Sequence, residues 1–488
     1  MSRRSVRQFG RITAFLCLLF LAVLAKAEPV LTLETADGNY GAGLRREEQS
    51  GNTWLSGFTQ DGDAVDLSFA IRDEGFYDIT VQSRSMGGHK ENYVAVDGVN
   101  AGVFVSEDGD FAPSTLKRYW LSAGTHTLSL IKYWGWVQVD TVALSVSEPL
   151  PDNLYDVSSV PANPNASENA RRLMAYLADQ YGRKIISGQF CEGGAFGKEN
   201  AAIWRTTGGR YPAILGMDLL DYTPSRTANG TKGSTVEKAL EYWDRGGIVA
   251  FCWHWTAPEA YITGNWYSAF YTDQTSIDLA RIMNGEDQAG YDLLLRDIDA
   301  IAQALQPLRD ADVPVLWRPL HEAGGGWFWW GAAGPEAYLS LYRLLYEKLT
   351  VEYGMNNLLW IWNGQDPAWY PGDDYVDLIG LDLYPGEHVY TSQSDAFLQA
   401  LACTEARKMI ILSENGCMPD PDLVFRDGTV WGSFCTWEGE FILAHSGFNK
   451  LSERYTEAWM VQKIYSDDRV VTREDLPDLK SYPLPELD

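Results

Sequence analysis

Cysteine is scarce, at 6 in 488 residues. Cys17 lies in an apolar leader, which leaves Cys191, Cys252, Cys403, Cys417 and Cys435, all in the second half. An odd set of thiols so confined cannot be the main scaffold of a large domain. Basic residues are also few: 39 Lys and Arg face 66 Asp and Glu, a net charge of −27. Such a surface repels polyphosphates and anionic lipids, so neither nucleic acid nor a membrane is an expected partner. Several motifs of chemistry are missing as well. His321-Glu322 is not followed by a second His at 325, which is Gly, so the zinc-protease pattern fails. No phosphate loop with Walker spacing and no G-x-S-x-G elbow occurs.

The one long apolar stretch, residues 12–25, is short of the roughly 20 residues a spanning helix needs. It follows Arg3, Arg4, Arg7 and Arg11 and ends at Ala25-Lys26-Ala27. That order is a secretory signal peptide over residues 1–27, and predicts a secreted, extracellular protein beginning near Glu28 with no membrane anchor. Removing the leader takes the charge to about −32, since it carries five basic residues and no acidic one.

What is abundant is aromatic: 19 Trp, 26 Tyr and 18 Phe. Residues 28–147 show short alternating runs, such as Tyr77-Asp78-Ile79-Thr80-Val81 and Thr127-Leu128-Ser129-Leu130-Ile131. Period-two alternation punctuated by Gly, Asp and Asn predicts an all-β sandwich of jelly-roll type. The prolines of Glu148-Pro149-Leu150-Pro151 suit neither helix nor ladder, which places a linker at 148–160. From 161 to 488 the texture changes. Eight apolar runs, at 184–190, 211–217, 247–255, 313–321, 357–363, 376–384, 408–414 and 432–437, alternate with amphipathic stretches such as 170–180 and 337–352. Short strands alternating with helices pair in parallel, and eight repeats predict a closed (β/α)8 TIM barrel; an open doubly wound sheet is the alternative.

In a barrel the reactive groups stand at strand C-termini. Glu322 ends the fourth run and Glu414 the seventh, and the spacing between them equals three βα units of about 30 residues. Two carboxylates at one mouth are what glycosidic cleavage requires, one protonating the leaving oxygen and the other attacking the anomeric carbon. Arg318, on the same run as Glu322, is a candidate donor that keeps the attacking carboxylate ionised. Rings crowd these ends: Trp327, Phe328, Trp329 and Trp330 follow a Gly324-Gly325-Gly326 bend, and Trp253-His254-Trp255, Tyr384 and Trp437 close other runs. Sugar C–H faces stack on such rings. His254 reads either as ligand-facing or as a structural histidine. Cys417 and Cys435 lie on adjacent runs and are a candidate disulfide.

At these residues the chain resembles glycoside hydrolase family 26, chiefly β-mannanases, over about residues 160–470. The resemblance rests on WRPLHEAGGGWFWWG at 317–331, with ISGQ at 186–189, CWHW at 252–255, GLDLYPG at 380–386 and LSENG at 412–416. It implies Glu322 as acid/base, Glu414 as nucleophile, retention of configuration and no cofactor for catalysis. It further implies that His321, Tyr384 and Trp437 line the subsite at the cleaved bond, while His254, Trp255 and Trp327 contact flanking mannosyl units. Ala323-Gly324 departs from the Met and Asn of many relatives, and keeps mixed-linkage β-glucan or xylan open as alternative substrates beside β-mannan. A non-catalytic glycan-binding protein is the alternative from another class. The sandwich resembles a family 35 carbohydrate-binding module, through Leu33-Glu34-Thr35-Ala36 and the stretch from Tyr133 to Asp140. There Trp134 and Trp136 are candidate stacking residues, one of which could instead be core. Glu34 and Asp140 match structural calcium ligands, although Ala36 stands where a second acidic residue is common. The expected partner is β-mannan, and the expected state a monomer.

Overall fold

A computed structural model describes residues 28–364, 366–445 and 450–484. The signal peptide expected at 1–27 lies outside the described residues. Among those described, no helix is long and apolar enough to cross a membrane.

Residues 31–146 fold as two antiparallel sheets. One is built on Gly75–Ser85 and Val137–Val146, the other on Ala64–Ile71, Lys90–Val96 and Gly124–Ile131. Alternation sends every second side chain inward, and Leu55, Val65, Ile79, Val81, Val94, Leu128, Leu130 and Leu144 meet between the sheets without exposure. Residues 148–160 do not behave as a free spacer. Leu154 is buried in the barrel's core, and the Tyr155 hydroxyl donates to the Gly428 carbonyl at 2.6 Å.

The second domain holds a seven-stranded parallel sheet, numbered here within the barrel: β1 (Gly188–Phe190), β2 (Ile214–Asp218), β3 (Ile248–Cys252), β4 (Val315–Arg318), β5 (Leu358–Trp362), β6 (Leu378–Leu383) and β7 (Met409–Asn415). Helices cover the outside, so the strands are buried on both faces and read as unbroken apolar runs. Each of the first seven predicted runs matches one of these strands, with β2 and β7 each extending one residue past the run. The first is split, because Ile185–Ile186 pairs with Val470–Val471 before β1 begins.

The eighth run, 432–437, is not a regular strand, yet it closes the ring. Phe434 N–H donates to Ile186 O and Phe190 N–H to Thr436 O on one side; Leu412 N–H donates to Ser433 O and Trp437 N–H to Asn415 O on the other. The Cys417–Cys435 disulfide is not formed, and both are free thiols. Closure sends the two sulfurs apart: Cys435 packs inside with Phe190 and Cys252, whereas the Cys417 thiol donates to Tyr455 O at 3.1 Å.

Candidate active site

Arg318 is the last residue of β4, and Pro319 stops the ladder there because it has no N–H to give. The chain then passes through two left-handed residues, Leu320 (φ 50°) and Glu322 (φ 53°), a region that bulky side chains rarely adopt. Tertiary bonds hold that turn. Glu322 N–H is shared between the carbonyl of Asn363 at 2.7 Å and its side-chain oxygen at 2.9 Å, and Trp330 Nε1 donates to His321 O at 2.8 Å.

On the opposite wall, β6 and β7 carry Asp382 beside Glu414. A bulge between Leu381 and Asp382 leaves Ser413 without a partner in the register. Strict alternation would send Ser413 and Glu414 to opposite faces; here both meet the same network. Asn363 Nδ2 donates to Ser413 Oγ at 2.8 Å, Ser413 donates to Asp382 at 2.7 Å, and Arg318 donates to Asp382 at 2.7 Å and to Glu414. The Tyr384 hydroxyl gives Glu414 its other bond, at 2.5 Å. An unbroken chain of hydrogen bonds thus runs from the backbone of Glu322 to the carboxylate of Glu414.

One carboxylate oxygen from each of Glu322, Asp382 and Glu414 lies within 4.8 Å of the others. Burial is the largest influence on both glutamates and raises each above the ordinary carboxylate range. They then diverge. Asp382 and Glu414 push Glu322 further up, and its own partner is the neutral indole N–H of Trp327 at 2.9 Å. Arg318 and the Tyr384 hydroxyl pull Glu414 back toward ionisation. The arrangement sets the two carboxyls apart, with Glu322 held toward its protonated form and Glu414 drawn back toward ionisation, the split of roles that two-carboxylate catalysis needs.

His254 follows β3, and its Nδ1 lies 2.5 Å from Asp218, the last residue of β2. Its Nε2 is 3.2 Å from Nε2 of His321, so one proton is shared between the two rings. Burial, Arg318 and His254 hold His321 well below its usual pKa and therefore neutral. Trp437 lies against Phe190, with ring centroids 4.6 Å apart, and flanks His254. Beyond it opens a cleft of about 470 Å³ lined by Glu192, Asp218, Arg226, Lys238, His254 and Trp437. On the other flank Trp327 and Tyr384 present open faces, at 45% and 43% exposure.

The structure therefore gathers Glu322, Glu414, Arg318, His254, His321, Trp327, Tyr384 and Trp437 around one mouth. Trp255 is not among them. It is fully buried, stacked on Trp253 at 4.2 Å, and its Nε1 donates to the buried Asp297, so it is core and no subsite contact. Asp218, Asn363 and Asp382 belong to the site but were not singled out from the sequence.

In the sandwich Trp134 and Trp136 are both open, at 45% and 54% exposure, on the turn before Val137–Val146. That turn is fixed by the side-chain oxygen of Asn92, which accepts from the amides of Tyr133 and Gly135. Core packing is thus excluded for either tryptophan. Glu34 and Asp140 do not by themselves fit calcium, which takes about six to eight oxygens. The carbonyls of Val139 and Asp140 each already face the Thr35 hydroxyl at 2.7 Å, and among the described residues neither carboxylate belongs to a group of three close ligating side chains.

Comparison with known proteins fits this geometry. Residues 162–465 match the model of glycosyl hydrolase family 26, and residues 39–147 that of carbohydrate binding module family 35. A mannan endo-1,4-beta-mannosidase of Thermothelomyces thermophilus is 37% identical over 439 residues, covering 88% of this chain and 86% of that one. Mannan endo-1,4-beta-mannosidase B of Piromyces sp is 32% identical over 438 residues, covering 88% and 73%. Among solved structures, a Podospora anserina GH26-CBM35 beta-(1,4)-mannanase superposes with a TM-score of 0.65 at 34% identity, covering 92% of this chain and 99% of that one. The chain belongs to glycosyl hydrolase family 26, and its barrel is preceded by a family 35 carbohydrate-binding module.

Proposed function

We propose that this chain is a secreted endo-β-1,4-mannanase acting by double displacement with retention of configuration. The observation that carries this is the Glu322–Glu414 pair: one carboxylate oxygen of each lies within 4.8 Å of the other, which supports the close spacing of roughly 5 to 5.5 Å between the carboxyl groups of retaining enzymes. Glu414, ionised beside Arg318 and Tyr384, attacks the anomeric carbon while Glu322 gives its proton to the departing glycosidic oxygen. Water then enters, Glu322 takes its proton, and the Glu414 ester is released as free carboxylate. His254 and His321 pair through their Nε2 atoms at the mouth, and Trp437 and Trp327 supply faces on either side of the bond.

The mannan assignment rests on the activity of the relatives, and places mixed-linkage glucan and xylan behind β-mannan. The module, with Trp134 and Trp136 outward, holds the polysaccharide near the barrel. One chain supplies every side chain of the site, which supports action as a monomer, and residues 1–27 direct export. Reducing-end release from galactomannan, glucomannan, xylan and lichenan tests the reading. Galactomannan or glucomannan is expected to be cut fastest, and Glu414→Ala to lose at least about 10³-fold of that rate while staying folded. Faster cutting of xylan or lichenan, or full activity in Glu414→Ala, would overturn it.

A further inference from the structure

The module touches the barrel at a loop of the active site. Its strand Val99–Ser106 carries Asn100, whose Nδ2 donates to the backbone carbonyl of Pro385 at 3.0 Å. The orientation of the amide is fixed from within the module, because Asn100 Oδ1 accepts from Gly102 N–H at 3.0 Å and leaves Nδ2 to point outward. Pro385 is the residue after Tyr384, whose hydroxyl bonds Glu414.

The barrel anchors this loop on either side of the contact. Gly416 N–H donates to Leu383 O at 3.0 Å, and His388 N–H donates to Tyr455 O at 3.0 Å. Between those anchors the backbone turns at Gly386 (φ 110°), and it is there that Asn100 takes up the Pro385 carbonyl. Two further bonds keep the module seated. Lys117 N–H donates to Asp395 at 2.8 Å, and Arg118 Nε donates to the Asp427 carbonyl at 3.0 Å. The module's reach into the loop is therefore set by a joint of its own and does not depend on bound polysaccharide.

Resting on the mannanase reading, we propose that Asn100 is a positioning residue for catalysis: through Pro385 it sets the Tyr384 hydroxyl on Glu414, which makes the module part of the catalytic unit as well as a tether. Loss of that donor loosens the Tyr384 bond, one of two that hold Glu414 ionised. Arg318, Asp382, Glu322 and His254 also face Glu414, and the substitution leaves them in place.

The test uses the full chain and soluble mannohexaose, which has no need of a polysaccharide tether. Wild type, Asn100→Ala, Tyr384→Phe and the double variant are compared for kcat, KM and the pH profile. Asn100→Ala is expected to lower kcat about two- to ten-fold, the worth of one hydrogen bond, with KM nearly constant and the acid limb moved to higher pH. The double variant is expected to match Tyr384→Phe alone, because both changes act on one bond. Multiplicative losses, or a wild-type kcat and acid limb in a folded Asn100→Ala, would overturn the proposal. Asn100→Ser, which keeps an acceptor for Gly102 but is too short to reach Pro385, gives the same reading should the alanine variant misfold. A wild-type chain inactive on mannohexaose and on mannan would instead fail the mannanase reading, and this inference with it.

Discussion

Arg318 is buried between Asp382 and Glu414 and reaches one carboxylate with each terminal nitrogen. A planar guanidinium holds these donors in one rigid fork, whereas an ammonium would offer its three from a single point. Removing it leaves two buried carboxylates facing each other, at a cost of about 3–5 kcal/mol typical for a broken buried pair. Arg318→Met is expected to lose that much stability in urea unfolding together with nearly all activity. The glutamates also dictate the pH response. Activity needs Glu414 ionised, so it falls as pH drops through the Glu414 value; it needs Glu322 protonated, so it falls again as pH rises through the higher Glu322 value. Both values are raised by burial, so a bell in kcat/KM is expected with both limbs above the ordinary carboxylate range, and the apparent values belong to the pair. A profile flat down to pH 4.5 would contradict this account of the site.

At the scale of the element, the strand-end rule explains what could be read in advance and what could not. It selected Glu322 and Glu414, and applied evenly it would also have reached Asp218, directly after the run 211–217, and Asn363, the end of 357–363. Trp255 failed for a related reason. Alternation past β3 turns His254 to the mouth and sends Trp253 and Trp255 together into the helix layer, where their indoles donate to Thr223 and Asp297. Trp255→Ala is therefore expected to cost about 3–5 kcal/mol of stability as a core truncation. Trp327→Ala is expected to keep the melting temperature and lower kcat/KM. A stable Trp255→Ala with impaired substrate binding would restore its place in a subsite. The left-handed turn at Leu320 and Glu322, and the bulge beside Ser413, were not legible. Neither is encoded by glycine or proline; both are imposed by bonds from Asn363 and Asp382, which are distant in sequence. The irregular eighth stave was found as an apolar run because it is buried, but burial carries no information on how regular its ladder is.

Over the whole molecule, the change of texture near residue 147 falls directly after the last strand of the sandwich, Val137–Val146. The prolines after it suggested a spacer, whereas Leu154 and Tyr155 tie that segment to the barrel. Sequence pattern reports each domain's own core and is silent on the polar joint between them, where Asn100, Lys117 and Arg118 do the seating. The tether role belongs to this scale. With Trp134 and Trp136 both changed to Ala, the ratio of activity on insoluble mannan to that on mannohexaose is expected to fall about ten-fold, as two exposed stacking faces are lost. An unchanged ratio would place polysaccharide binding elsewhere on the module.

The paired glutamates are tested most directly by proton NMR of mannohexaose hydrolysis, read before the products mutarotate. The account predicts that the first new reducing ends are β anomers, formed by two successive inversions at the anomeric carbon, the first by Glu414 and the second by water. First-formed α anomers would mean that water attacks directly, and that Glu414 is not the nucleophile.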